Sequence, residues 1–441
     1  MVFYLRHLSV LAATLVVWFI ASSASAATTL TIATVNNGDM IRMQELSEDF
    51  TKDNPDIELN WITLEENVLR QRVTTDIATD GGRFDVLTIG TYEVPIWAER
   101  GWLVPLNDMP KGYDVEDILP AIRDALSVED TLYAAPFYGE SSFTMYRTDL
   151  FEKAGLQMPE APTWDFIKEA AAAITDKSNE VYGICLRGKP GWGENLALLT
   201  AMANSYGARW FDMDWQPQLK SEAWAGALND YVKLLNEYGP PGASSNGFNE
   251  NLALFQSGKC GIWIDATVAA SFVTDAERSS VADRVGFALA PDHGLDKRSN
   301  WLWVWALAIP AGSQQEEAAK RFLAWATSSE YTELVAEEYG WANVPPGTRT
   351  SLYETQAYLD AAPFAKITLA SIQAADPNDP TVADVPYTGI QFVAIPEFQS
   401  IGTAVGHRFA EALAGTIPID EAIGNAQWVT EKVIERARFL K

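Results

Sequence analysis

LYAAPFYGESSFTMYRTDLFEKAGL, residues 132–156, decides how the rest of the chain is read. It opens as a β-rich segment with aromatic residues at Tyr133, Phe137, Phe143 and Tyr146. It turns helical at Thr148, where Thr-Asp-Leu-Phe-Glu offers an N-cap and an acidic first turn. Pro159 and Pro162 follow, and Thr163 reads as the cap of the next helix, TWDFIKEAAAAI.

Upstream, Thr29 to Thr34 reads as a strand, and MIRMQELSEDFTKDNP as a helix with Ile41, Leu46 and Phe50 on one side, stopped at Pro55. Ile57 to Leu64 is a second strand. A helix follows, closed by Gly81-Gly82, and Phe84 to Ile89 is a third strand, apolar as one covered on both faces should be. This alternation predicts an α/β fold with a mostly parallel sheet. Ligands of such sheets bind beyond the carboxyl ends of the strands, which singles out Asn36, Asn37, Glu65, Glu66, Thr91 and Tyr92. Trp97 and Trp102 read as core.

Downstream, Val181 to Arg187 is strand-like and the glycine-rich GKPGWGEN follows. That loop lacks the G-x-x-x-x-G-K-[ST] spacing of a phosphate loop. Arg187, Trp192 and Asn195 instead make an aromatic-plus-polar set at a strand's carboxyl end. Gly258 to Thr267 is a further strand. In SNWLWVWALAIPAGS, Trp301, Trp303 and Trp305 alternate and so share one face of a strand. The only cysteines, Cys185 and Cys260, lie in two of these strand-like runs; a disulfide and a pair of buried thiols are both open.

The ends and the composition narrow the class. Arg6 and His7, an apolar run from Leu8 to Ile20 and Ala24-Ser25-Ala26 read as a secretory signal peptide cut after Ala26. The run is short for a membrane span. No cysteine near the cut calls for a lipid anchor, so a periplasmic protein is expected. A chain of 441 residues is too long for one core and suits two lobes. Its net charge of −27 is spread along the chain and repels phosphate backbones, so nucleic acid is not an expected partner. The mature chain's two histidines, His293 and His407, stand apart, and no metal or other cofactor is expected.

The pattern YaaPf…s…myR.DLFekaGl…P.TWdf, together with GGRFDVLTIGTYEVPIWAERGWLVPL, resembles the extracellular solute-binding proteins of bacterial ABC importers that take sugars, the maltose-binding-protein-like group. The resemblance covers nearly all of the mature chain. It implies a two-lobed periplasmic-binding-protein fold of type II, each lobe a mostly parallel sheet flanked by helices, joined by a hinge. Residues 27–140 with 303–343 would form the first lobe and 141–302 with 344–441 the second. The hinge would lie near Glu140–Ser142, Trp303–Ala306 and Asn343–Pro346. The cleft between the lobes would hold the ligand, with a membrane permease as partner and a monomer as working form. The resemblance adds Glu140, Trp263, Asp265, Thr267 and Asn343 to the ligand-facing set of Asn37, Glu65, Thr91, Tyr92, Arg187, Trp192, Asn195, Trp301 and Trp303. The texts YGICLRGKPGWGEN, ANSYGARWFD and GKCGIWIDATVAASFV look most like the sorbitol/mannitol-binding members.

Residue chemistry reaches a neutral polyhydroxy ligand by a separate route. Trp and Tyr offer faces to C–H groups, and Asp, Glu, Asn and Arg offer directional partners to hydroxyls. A cyclic monosaccharide or short oligosaccharide is the alternative ligand. An exported glycosidase using Glu140, Asp265 and Glu65 is the alternative class, but no nucleophile elbow or inserted barrel pattern accompanies those carboxylates.

Overall fold

The computed structural model describes residues 27–439, so the leader read at residues 1–26 lies outside the described residues. Two sheets organise the chain. In the first, β1 (Thr28–Val35) pairs parallel with β2 (Ile57–Leu64) and β3 (Val86–Ile89). A small hairpin of β4 (Ser127–Val128) and β5 (Thr131–Leu132) precedes β6 (Ala135–Glu140). The second sheet holds β7 (Ser142–Arg147), β8 (Tyr182–Cys185), β9 (Cys260–Ala266) and β10 (Val285–Leu289) in the order β10-β7-β9-β8. The chain then returns to the first sheet as β11 (Trp303–Ala308), giving the order β2-β1-β3-β11-β6. β11 runs antiparallel to both its neighbours, as does β7, so each sheet carries one strand against the common direction.

The 132–156 stretch is the first passage between lobes. β6 ends at Glu140 and β7 begins at Ser142, with Ser141 between them. Ser141 is held by Thr267, whose backbone N–H donates to its carbonyl (2.8 Å) and whose hydroxyl accepts from its N–H (3.2 Å). The return passage, residues 290–302, lies before Trp303 rather than within 303–306, and Trp303 pairs with Glu140 across the two crossing segments. The chain stays with the first lobe beyond the 343/344 boundary read from the sequence: Thr350 and Ser351 still bond to Asp117. We place the third passage after Ser351.

Local chemistry accounts for most elements, with two corrections. Helix α1 (Gly38–Asp53) buries Met40, Met43, Ser47 and Phe50, while Ile41 is 38% exposed. Phe50 is buried as expected, but the stripe runs through Met40, Met43 and Ser47, with Leu46 only partly buried beside it; Asn37 caps the helix. Thr148 is the first residue of its helix and not the cap; that position is taken by Arg147, whose side chain makes no capping bond and donates instead to Asp149. Thr163 does accept from Phe166 N (3.2 Å). Trp97 is buried, whereas Trp102 is half-buried with Arg100 over its ring. His293 stacks on Tyr206 at 3.8 Å and His407 is exposed.

Cys185 and Cys260 are joined as a disulfide within the second lobe, spanning 75 residues of chain. A cross-link of that span removes much of the unfolded chain's freedom, so its reduction is expected to lower stability by about 2–4 kcal/mol. Denaturing thiol titration of unreduced protein should find no free thiol, and two reactive groups would contradict this pairing.

Candidate functional site

The carboxyl ends of β1 and β2 each hand over to a helix through a capping side chain. Asn37 accepts from Met40 N (3.0 Å) at the start of α1, and Glu65 accepts from Val68 N (3.3 Å) at the start of α2 (Glu66–Ala78). Both caps therefore stand at the mouth of the cleft. Opposite them, the 188–195 loop follows β8 and brings Lys189, Trp192 and Glu194 to the other wall.

Between these walls lies a cavity of about 110 Å³. Trp301, Trp303 and Trp305 share its wall with Trp192, Tyr138 and Phe248. Asn36, Asn37, Glu65, Glu66, Glu140 and Glu194 supply the polar lining, with Arg70, Arg187 and Lys189 as cations.

Each cation is already matched. Arg187 sends Nε to both oxygens of Asp265 (3.0 Å each), Nη2 to Oδ1 (2.6 Å) and Nη1 to the Gly193 carbonyl (2.9 Å). Burial works against its charge, and the Asp265 carboxylate overcomes that and holds the guanidinium above its usual range. Arg70 donates to Glu66 (2.8 and 3.0 Å) and to buried Glu93 (2.9 Å). Its guanidinium lies 4.0 Å from the ring centre of Trp192, 4.7 Å from that of Trp303 and 5.0 Å from that of Trp305, a cation–π cage. Lys189 meets Glu65 across the cleft at 2.6 Å and Glu194 on its own side at 3.5 Å.

The acids are less well served. Burial pushes the Glu140 carboxyl up to about 8; Arg187 offsets this in part, while Asp265 and Glu66 add to it. Burial and then Glu66 raise Glu194 to about 7, against the pull of Arg187 and Lys189. Glu194 Oε2 and the indole N–H groups of Trp192 and Trp303 are buried without a hydrogen-bond partner among the described residues. The wall thus presents both donors and acceptors to whatever fills it.

The lobes meet around this cavity. Besides Lys189–Glu65 and Arg70 over Trp192, Thr74 donates to Gln399 (3.1 Å). Gly193 packs so close to Glu66 and Arg70 that a Cβ there would press on the Glu66 carboxylate and displace it.

Of the residues singled out from the sequence, Asn36, Asn37, Glu65, Glu66, Glu140, Arg187, Trp192, Trp301 and Trp303 line the cavity. Seven others do not. Asp265 is fully buried behind Arg187, where it also accepts from the Trp263 indole (3.1 Å), so both residues support the guanidinium from the core. Asn195 is spent on the backbone, accepting from Gly191 N and donating to the Gly406 carbonyl. Thr91 is buried off the cavity, and Tyr92 packs on Trp192 with its hydroxyl on the Ile395 carbonyl (3.0 Å). Asn343 accepts from Arg42 instead. Thr267 serves the hinge.

Arg70, Lys189 and Glu194 were missed although their signals were present. Arg70 stands four residues after Glu66 on one helix face, and the other two sit in the glycine-rich loop around Trp192. Gln391 carries no comparable signal.

Residues 37–333 match the family described as bacterial extracellular solute-binding protein. A mannitol-binding protein of Pseudomonas aeruginosa is 59% identical over 418 residues, covering 95% of this chain and 96% of its own. An ABC transporter solute-binding protein of Agrobacterium vitis, crystallised with D-mannitol, is similar with a TM-score of 0.93 at 68% identity, covering 93% of this chain and 99% of that one. A ribitol complex from Agrobacterium radiobacter shares the fold with a TM-score of 0.81 at 24% identity, over 92% of this chain and 98% of that one.

Proposed function

The chain belongs to the bacterial extracellular solute-binding proteins, and from that premise we propose that it captures a hexitol, D-mannitol first, between its lobes and delivers it to the permease of an ABC importer. The leader expected at residues 1–26 would place it in the periplasm. Its task is binding and not turnover. One observation carries the choice of ligand class: every cation of the cavity wall already has a carboxylate partner. An anionic ligand would have to compete with those carboxylates, whereas a neutral polyol asks only for hydrogen bonds and apolar faces.

The indole rings lie where C–H faces of an open-chain polyol would pack, and the unpartnered indole N–H groups and Glu194 oxygen lie where hydroxyls would bond. The relatives named for mannitol support a hexitol over a longer sugar. The glycosidase set is not assembled: Asp265 is locked on Arg187, and Glu65 caps α2 while pairing with Lys189.

Titration calorimetry against mannitol, sorbitol, mannose and maltose tests the proposal. Mannitol is expected to bind with a Kd at or below the micromolar range, about −8 kcal/mol, with no release of nitrophenol from nitrophenyl glycosides. Silence with both hexitols, or tighter binding of maltose, would overturn it.

A further inference from the structure

Residues 375–397 link two helices, Ala365–Gln373 and Phe398–Leu413, without a helix or strand of their own. Their course is nevertheless fixed. Thr381 donates to the Asn204 carbonyl, Asn204 donates back to the Ile390 carbonyl (2.8 Å), and the Tyr387 hydroxyl accepts from Trp210 N. These bonds strap the segment to the second lobe. Gly389 sits at φ 120°, and a Cβ there would strike the Phe392 carbonyl, so the turn before residues 391–392 admits only glycine.

That turn points two side chains inward. The Phe392 ring meets Tyr92, Trp192 and Trp303 at 5.5–6.4 Å, joining both lobes. Gln391 is 3% exposed and lines the cavity. Its Nε2 donates to the Leu302 carbonyl at 2.8 Å. A carbonyl only accepts, so the amide must turn its nitrogen that way, and Oε1 is left facing the other direction. Oε1 has no hydrogen-bond partner among the described residues. A buried amide oxygen held by its own nitrogen, on a strapped loop, is a preset acceptor for one hydroxyl.

We infer that Gln391 is a ligand contact that reads a single hydroxyl of the bound polyol, which makes the 375–397 strap a specificity-determining wall of the cleft. The first lobe secures that wall on closure: Tyr92 donates to the Ile395 carbonyl and accepts from Gln399 N (3.1 Å). Tyr92 thus acts on the ligand through the strap, without touching the cavity.

The inference rests on the polyol reading, and its test keeps the two apart. Calorimetry compares the parent protein with Gln391→Met, which keeps length and removes the acceptor, against D-mannitol and its 1,6-, 2,5- and 3,4-dideoxy analogues, each lacking both members of one symmetry-related pair of hydroxyls. The parent should bind mannitol, and Gln391→Met should bind it at least tenfold more weakly. The deoxy analogue lacking the hydroxyl read by Oε1 should bind parent and variant equally, while the other analogues lose the same factor as mannitol. Gln391→Asn, which withdraws the oxygen by one methylene, should give the same selective pattern and serves if the methionine variant does not fold. Equal weakening of every analogue would reduce the strap to packing and overturn the inference. So would mannitol affinity within twofold of the parent. A parent that binds no hexitol would instead sink the polyol reading, and this inference with it.

Discussion

Replacing Asp265 with alanine is expected to remove about 3–5 kcal/mol of folding stability, the usual consequence of stranding one member of a buried ion pair. The carboxylate is fully buried and accepts from Arg187 Nε and Nη2, the Trp263 indole and Ala266 N. Without it, Arg187 keeps the Gly193 carbonyl at 2.9 Å and a distant Glu194 at 3.8 Å, too little for a charge with 6% exposure. Ligand affinity should fall as well, because the guanidinium is no longer held at the cavity wall. Asp265→Asn keeps the shape and part of the bonding, and should fall between alanine and the parent. Urea midpoints decide the matter. An alanine variant within about 1 kcal/mol of the parent, with binding lost, would return Asp265 to direct ligand contact, as the sequence had suggested.

The reason that expectation misplaced Asp265 is general to strands. The carboxyl end of β9 faces the cleft, but Trp263 and Asp265, two residues apart, share one face of that strand, and nothing in KCGIWIDAT says that this face is covered rather than open. Both turned to the core, and Arg187 from the neighbouring segment covers them. Where an end residue also capped a helix, as Asn37 and Glu65 do, position and chemistry agreed and the sequence was enough. The α/β alternation was legible because β1, β2 and β3 are local in the chain and marked by Pro55 and Gly81-Gly82. The third passage was not: residues 344–351 carry no composition that separates binding to Asp117 from membership of the second lobe. Gln391 was beyond reach for the same reason. Its segment has no periodicity, and its place in the cavity is set by partners at Asn204, Trp210 and Leu302, far away in sequence.

Glu140→Gln is expected to stabilise the closed protein in alkali and leave it nearly unchanged in acid, by up to about 4–5 kcal/mol at pH 9. The Glu140 carboxyl is held at about 8 against an ordinary 4.5, chiefly by burial, with Arg187 opposing and Asp265 and Glu66 reinforcing; Trp301 gives it one favourable hydrogen bond. The folded form therefore binds this proton more tightly than the unfolded chain does. Its contribution is fully present below about pH 4.5 and is lost as pH rises through 8. Glu194, raised to about 7, slopes the same way, so these two groups should cost the parent stability across the neutral range. Glutamine keeps the neutral shape at every pH and removes the Glu140 share of that slope. Parting of the lobes would let the ionised carboxylate meet water, so the stated figure is an upper bound and the shortfall measures opening. Thermal melts of parent and Glu140→Gln from pH 4 to 9 read the difference directly. A gap that stays constant with pH would mean that Glu140 holds its proton no more tightly in the folded protein than in the unfolded chain, and so carries its charge in the closed cleft at neutral pH.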